Sequence, residues 1–175
     1  MLKKVILFFV LLPMVLLSCK QDVKKTINRS VSKSTYYFIR HAEKDRSDST
    51  NNDPHLTDIG LKRAENWASK LEGITFDAIY STNYNRTKET ATPLALKNNL
   101  DITLYNPKDI DYNLFLEENK GKTVLIVGHS NTTPAFVNKI LGKNKYEDID
   151  DHQNGNLYII TIENDKIFDE LKVIN

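Results

Sequence analysis

Two kinds of hydrophobic spacing alternate along the chain from residue 36 onward. Tyr36 to Ile39, Phe76 to Tyr80, Ile102 to Tyr105 and Val124 to Val127 are short apolar-rich runs, each followed by polar residues, and they read as strands. The last is continuous enough to suit a strand buried on both faces. Between Thr57 and Gly73, the residues Leu61, Ala64, Ala68 and Leu71 recur at helical spacing, with Thr57 as N-cap and Gly73 as the stop. After Ser81-Thr82-Asn83 a second helical segment runs to about Leu96; Pro93 inside it predicts a kink or a late start. Ile110, Leu114 and Phe115 suggest a helix ending before Gly121. A further helix opens with Thr132 or Thr133 as cap and Pro134 in its first turn, and closes at Gly142. Leu157 to Ile162 and Ile167 to Val173, joined by Asn164-Asp165, have the pattern of an antiparallel hairpin at a sheet edge. Strands alternating with helices predict an α/β fold with three layers, α/β/α. Its central sheet is mostly parallel, with the antiparallel hairpin at its edge.

The N-terminus follows a different pattern. Lys3 and Lys4 precede an unbroken apolar run from Val5 to Leu17, then Ser18 and Cys19. At 13 residues the run is shorter than the roughly 20 that a spanning helix needs, and it reads as an export signal. Leu16-Leu17-Ser18-Cys19 resembles the lipobox of bacterial lipoproteins. That resemblance implies cleavage after residue 18, acylation of Cys19, and an exported domain anchored to a bacterial membrane. Residues 19–34 are rich in Lys, Ser and Asn and have the composition of a solvated tether. Residues 35–175 are enough for one domain with its own core.

Composition narrows the chemistry. Cys19 is the only cysteine, so the folded domain has no internal disulfide, cysteine-based zinc site or cysteine nucleophile. A formal net charge of +1 gives no electrostatic case for nucleic acid.

The polar groups just past the strand ends are informative. Arg40-His41 follows the first strand, Arg86 lies shortly after the second, and His129 follows the buried fourth run. In an open parallel sheet, ligands gather beyond the carboxyl ends of the strands. Two imidazoles and two guanidiniums at one sheet edge suggest an anion site, because the planar Arg fork can hold two phosphate oxygens. Arg86 gains from the amide dipoles if it opens its helix.

Four motifs stand in order: Arg40-His41-Ala42-Glu43, Pro54-x-Leu56-Thr57-x-x-Gly60, Ser81-Thr82-x-x-x-Arg86-x-x-x-Thr90-Ala91 and Gly128-His129-Ser130-Asn131. Together they resemble the histidine phosphatase superfamily, in its phosphoglycerate-mutase-like branch 1, and in size a small phosphohistidine-phosphatase-like member. The resemblance implies that His41 is the phosphoryl-accepting nucleophile, that Arg40 and Arg86 clamp phosphate, and that His129 donates hydrogen bonds to the phosphoryl oxygens. Asn131 joins these as a substrate contact. No metal or other cofactor is implied. Many members of the branch supply a carboxylic acid after the third strand to protonate the leaving group. Asp109 is the candidate here, with Asp111 and Glu43 behind it and a helix-start carboxylate as the plainer role.

His55 reads as a rim residue, His152 as a solvated turn, Trp67 as packing, and Lys44 as either a phosphate-entrance cation or a solvated one. The expected function is a phosphatase acting on a phosphomonoester or a phosphorylated protein side chain. The alternative is a phosphate- or phosphoglycan-binding module on the cell envelope that turns nothing over.

Overall fold

A computed structural model of the chain describes residues 32–174. The expected export signal, Cys19 and most of the expected tether lie outside the described residues. The alternating runs form β1 (Lys33–Arg40), α1 (Asp58–Lys70), β2 (Ala78–Thr82), α2 (Asn85–Asn98), β3 (Ile102–Tyr105), α3 (Tyr112–Glu118), β4 (Thr123–Gly128), α4 (Thr132–Leu141), β5 (Asn156–Glu163) and β6 (Lys166–Val173). The strands make one six-stranded sheet in the order β3-β2-β4-β1-β5-β6. The first four run parallel, and β5 and β6 are antiparallel at one edge. The expected edge hairpin is therefore present. Asn164 and Asp165 take positive φ values of 51° and 62° at its turn, as a two-residue hairpin loop compatible with strand twist requires.

Each face of the sheet carries its own core. Trp67 and Ala68 of α1 and Ala91 and Leu94 of α2 pack with Ile39, Leu125 and Leu157. Phe115 of α3 and Phe136, Val137 and Ile140 of α4 pack with Tyr36, Phe38, Ile126 and Ile160. Neighbouring residues of β1 point to opposite cores, the period of two that a strand imposes. This gives the three expected layers.

Several local expectations are corrected. β1 opens at Lys33, inside the stretch assigned to the tether, and Ser34 is buried, its Oγ accepting a hydrogen bond from the Gly121 amide at 2.8 Å. In α1, Leu61 is exposed while Trp67 is buried, so the inward stripe is rotated from the one drawn through Leu61. Thr57 does cap α1, accepting from the Gly60 amide at 3.1 Å. α2 runs unbroken from Asn85 through Pro93 to Asn98, so there is no late start. α3 begins at Tyr112 rather than at Ile110. α4 is capped by Asn131, whose side chain accepts from the Thr132 amide at 2.9 Å; Thr132 and Thr133 are already helical.

Candidate active site

Register creates the site. Arg40 at the end of β1 lies opposite Gly128 at the end of β4, and the His41 amide bonds to the Gly128 carbonyl at 3.0 Å. The next residue on each strand is a histidine, and the two rings sit with centroids 5.5 Å apart. β2 lies on the other side of β4, and Arg86 is the second residue of the helix that follows it. Arg40, His41, Arg86 and His129 thus line one cavity of about 390 Å³ beyond the strand ends. The four residues with the strongest expectations are brought together.

The sequence motifs hold this arrangement in place. The Thr90 hydroxyl accepts from the Ala42 amide at 2.9 Å and donates to the Arg86 carbonyl at 2.7 Å. One hydroxyl therefore ties the His41 loop to the Arg86 helix. Gly60 approaches the Glu43 backbone so closely that a Cβ there would lie 2.2 Å from the Glu43 oxygen. The Thr57 amide also bonds to that oxygen at 2.9 Å, and Lys44 forms a β-bridge with Leu56. Residues 43–45 are clipped to 55–57 and cannot drift from the pocket.

Hydrogen bonding fixes the chemistry of His41. Its Nδ1 lies 2.8 Å from the Ala42 carbonyl oxygen. A carbonyl can only accept, so Nδ1 carries the proton and Nε2 keeps its lone pair. Burial, opposed in part by that hydrogen bond, pushes the pKa down to about 3, and the charges of Arg40, His129 and Arg86 act in the same direction. The ring is therefore neutral and nucleophilic at neutral pH. His129 is lowered to about 4 by burial and by Arg86, Lys44 and Arg40. Its Nε2 is 2.9 Å from the Thr82 hydroxyl, and the ring meets Tyr84 edge-on at 5.0 Å.

The two guanidiniums are mounted differently. Arg86 sits over the Tyr84 ring at 4.3 Å and lies 3.6 Å from Asp53. Arg40, 2% exposed, is held by residues of the β5 approach loop. Its Nη1 donates to the Asp150 carbonyl at 2.9 Å and more weakly to those of Asp151 and Gln153, and its Nη2 donates to the Asp151 carboxylate at 2.6 Å. The Nε of each arginine is buried without a hydrogen-bond partner. A buried donor left unpaired costs about 1–3 kcal/mol, and both guanidiniums belong to residues that line the one cavity, whose positive charge suits an anion.

The three candidate acids are not brought into the cavity. Asp109 is exposed, and its carboxylate accepts from the Asn106 side-chain amide. Asp111 caps α3, accepting from the amides of Asn113 and Leu114. Glu43 accepts from Nε of Arg63 at 2.8 and 2.9 Å. It lines a side lobe of about 220 Å³ rather than the main cavity. Asn131 lines the main cavity while capping α4. His55 is exposed and paired with Glu89, and His152 is exposed beside Asp150 on the side lobe.

Asp151 is the wall residue that sequence reasoning missed. Its carboxylate bridges Arg40 and Arg46, at 2.6 and 2.8 Å. The hydrogen bonds from Arg46 and then Arg40 hold its pKa down to about 2, so it stays ionised and has no proton to give. Its partner Arg40 is 111 residues away in sequence. The cluster Asp148-Asp150-Asp151 was visible, but nothing local says which member turns inward.

Residues 36–106 match the family model described as histidine phosphatase superfamily (branch 1). No curated protein matches the chain by sequence. The fold is shared with solved structures at low identity. YhfR of Bacillus stearothermophilus is 16% identical with a TM-score of 0.64, over 81% of this chain and 98% of that one. The protein histidine phosphatase SixA complexed with tungstate is 14% identical with a TM-score of 0.64, over 79% and 96%. Entamoeba histolytica phosphoserine phosphatase, solved with phosphoserine, is 15% identical with a TM-score of 0.60, over 78% and 94%. The domain is thus a six-stranded, four-helix α/β fold of the phosphoglycerate mutase-like kind.

Proposed function

We propose that the chain is a phosphatase that moves a phosphoryl group from a phosphomonoester or a phosphorylated protein side chain to Nε2 of His41, and then to water. The observation that carries this reading is the convergence of the neutral His41 with Arg40, Arg86 and His129 on one cavity. Nε2 attacks phosphorus, the bond to the leaving group breaks, and water later cleaves the phosphohistidine. Splitting the transfer replaces one hard step with two easier ones. The guanidiniums stabilise charge spread over the equatorial oxygens. The Thr82 hydroxyl, whose own proton goes to the Thr87 hydroxyl at 3.0 Å, accepts from Nε2 of His129 and holds that ring against the site. The sequence match over residues 36–106 and the fold shared with phosphatases support the same reading.

The test is turnover of p-nitrophenyl phosphate by purified protein, with trapping of acid-labile phosphate on His41. His41→Ala is expected to lower kcat by at least about 10³-fold. Turnover that survives this substitution overturns the mechanism. A second reading, a phosphate-binding module without turnover, is favoured by one observation: Asp109, Asp111 and Glu43 all lie outside the main cavity. Phosphate binding with no hydrolysis of any aryl phosphate would establish it.

The sequence features at residues 3–19 support a further proposal, that the domain is exported and anchored through an acylated Cys19.

A further inference from the structure

We propose that Lys44 is the proton donor to the leaving group, a role that rests on the phosphatase reading above. The observation is a juxtaposition. Lys44 lines both the main cavity and its side lobe, as do His41, Arg40 and Asp151. Its backbone is fixed by the bridge to Leu56 and by the Asp45 amide bonding to the His55 carbonyl at 2.8 Å. The half-buried side chain is therefore carried on a rigid base and lines the same cavity as His41.

Elimination among the proton carriers of the cavity and its side lobe points the same way: Glu43 is tied to Arg63, His152 is exposed beside Asp150, and Tyr84 lies under the Arg86 guanidinium. His41 is the nucleophile, and Asp151 is ionised between two arginines. Arginines do not release protons at working pH. His129 is neutral and its Nε2 is engaged with Thr82. Lys108 is an exposed ammonium on the β3–α3 turn. Lys44 is set apart by its neighbours. Burial lowers its pKa, and the cations Arg86, Arg46 and Arg40 add to this against the single opposing charge of Asp151. Lysine is the basic side chain whose pKa shifts most readily in such surroundings. A proton held less tightly is a better one to transfer.

The step balances. As Nε2 of His41 bonds to phosphorus and the P–O bond breaks, the Lys44 ammonium protonates the departing oxygen and becomes an amine. Water then attacks the phosphohistidine, the N–P bond breaks, and the amine takes the proton from water. Phosphate leaves, with His41 neutral and Lys44 charged again.

The test is leaving-group dependence. Hydrolysis of p-nitrophenyl phosphate, phenyl phosphate and glycerol 2-phosphate is compared in wild type, Lys44→Arg and Lys44→Gln, with inorganic phosphate inhibition and thermal melting alongside. Lys44→Arg keeps the charge but not the transferable proton. It is expected to lose about 10²- to 10⁴-fold in kcat/KM on the alkyl ester. It should lose less than about 10-fold on p-nitrophenyl phosphate, whose leaving group needs little protonation, with phosphate inhibition changed by only a few fold. The alkaline limb of the wild-type pH profile, where the donor loses its proton, should vanish in both variants. Equal losses on all three esters, or no loss, overturn the proposal and leave the phosphatase reading standing. A wild-type rate that already collapses across the series overturns it too. Absence of any wild-type turnover defeats the phosphatase reading and this proposal together.

Discussion

A histidine buried in the neutral state is useful to catalysis and costly to the fold in acid. His41 and His129 titrate near 6.5 when unfolded but at about 3 and about 4 in the folded protein. Both folded values are depressed, so between these limits the unfolded chain binds more protons and stability rises with pH. The contribution is complete above about pH 6.5 and is lost as pH falls toward 4 and below. Melting temperature should therefore drop between about pH 6.5 and 4, and His41→Gln should flatten that slope. A wild-type melting temperature that does not change across the window would contradict the burial of these rings. The placement of His41, Arg86 and His129 at one sheet edge was readable because each sits a short, countable distance past a recognisable strand. The placement of Asp151 and Lys44 was not, since Asp151 meets Arg40 only once the chain has folded back. Lys44 is distinguished by its neighbours rather than by its spacing.

The elements act as brackets, and their sequence motifs prove to be joints between them. Thr90, one turn beyond Arg86, carries no charge, yet its buried hydroxyl joins the Ala42 amide to the Arg86 carbonyl. Thr90→Val keeps the shape and removes both bonds, leaving the Ala42 N–H buried and unpaired. Equilibrium urea unfolding should show a loss of about 1–3 kcal/mol. Activity should fall as the His41 loop loosens, with circular dichroism unchanged. A loss below about 0.5 kcal/mol would mean that the loop is held by the Glu43 and Lys44 contacts alone. Element types were legible because two-residue and 3.6-residue periods differ sharply. Boundaries were less so. Pro93 removes one backbone donor and its ring crowds the carbonyl of Glu89, yet α2 continues because packing of Ala91, Leu94 and Ala95 against the sheet outweighs that local cost. The inward face of α1 was misread at Leu61 because one residue in a helical stripe carries less weight than the buried indole of Trp67.

At the scale of the whole molecule, the proposed anchor separates the place of action from the chemistry. No helix among the described residues is long and apolar enough to cross a membrane; the attachment proposed above is at the N-terminal residues. Two forces are available there, and they respond differently to salt. Acyl chains on Cys19 would hold by apolar burial, about 0.8 kcal/mol per CH₂, which salt does not weaken. Lys20, Lys24, Lys25 and Arg29 would add about 1 kcal/mol each near an anionic surface, an attraction that is screened within about 3 Å at 1 M salt. Membranes prepared from cells expressing the full chain should therefore keep the wild type through a 1 M salt wash. Cys19→Ala should be retained partly at low salt and released at high salt, with hydrolysis of p-nitrophenyl phosphate by the released domain unchanged. Retention of Cys19→Ala through the wash would refute acylation as the tether and assign the attachment to the uncleaved apolar run from Val5 to Leu17. Release of the wild type at high salt would assign it to the cations alone.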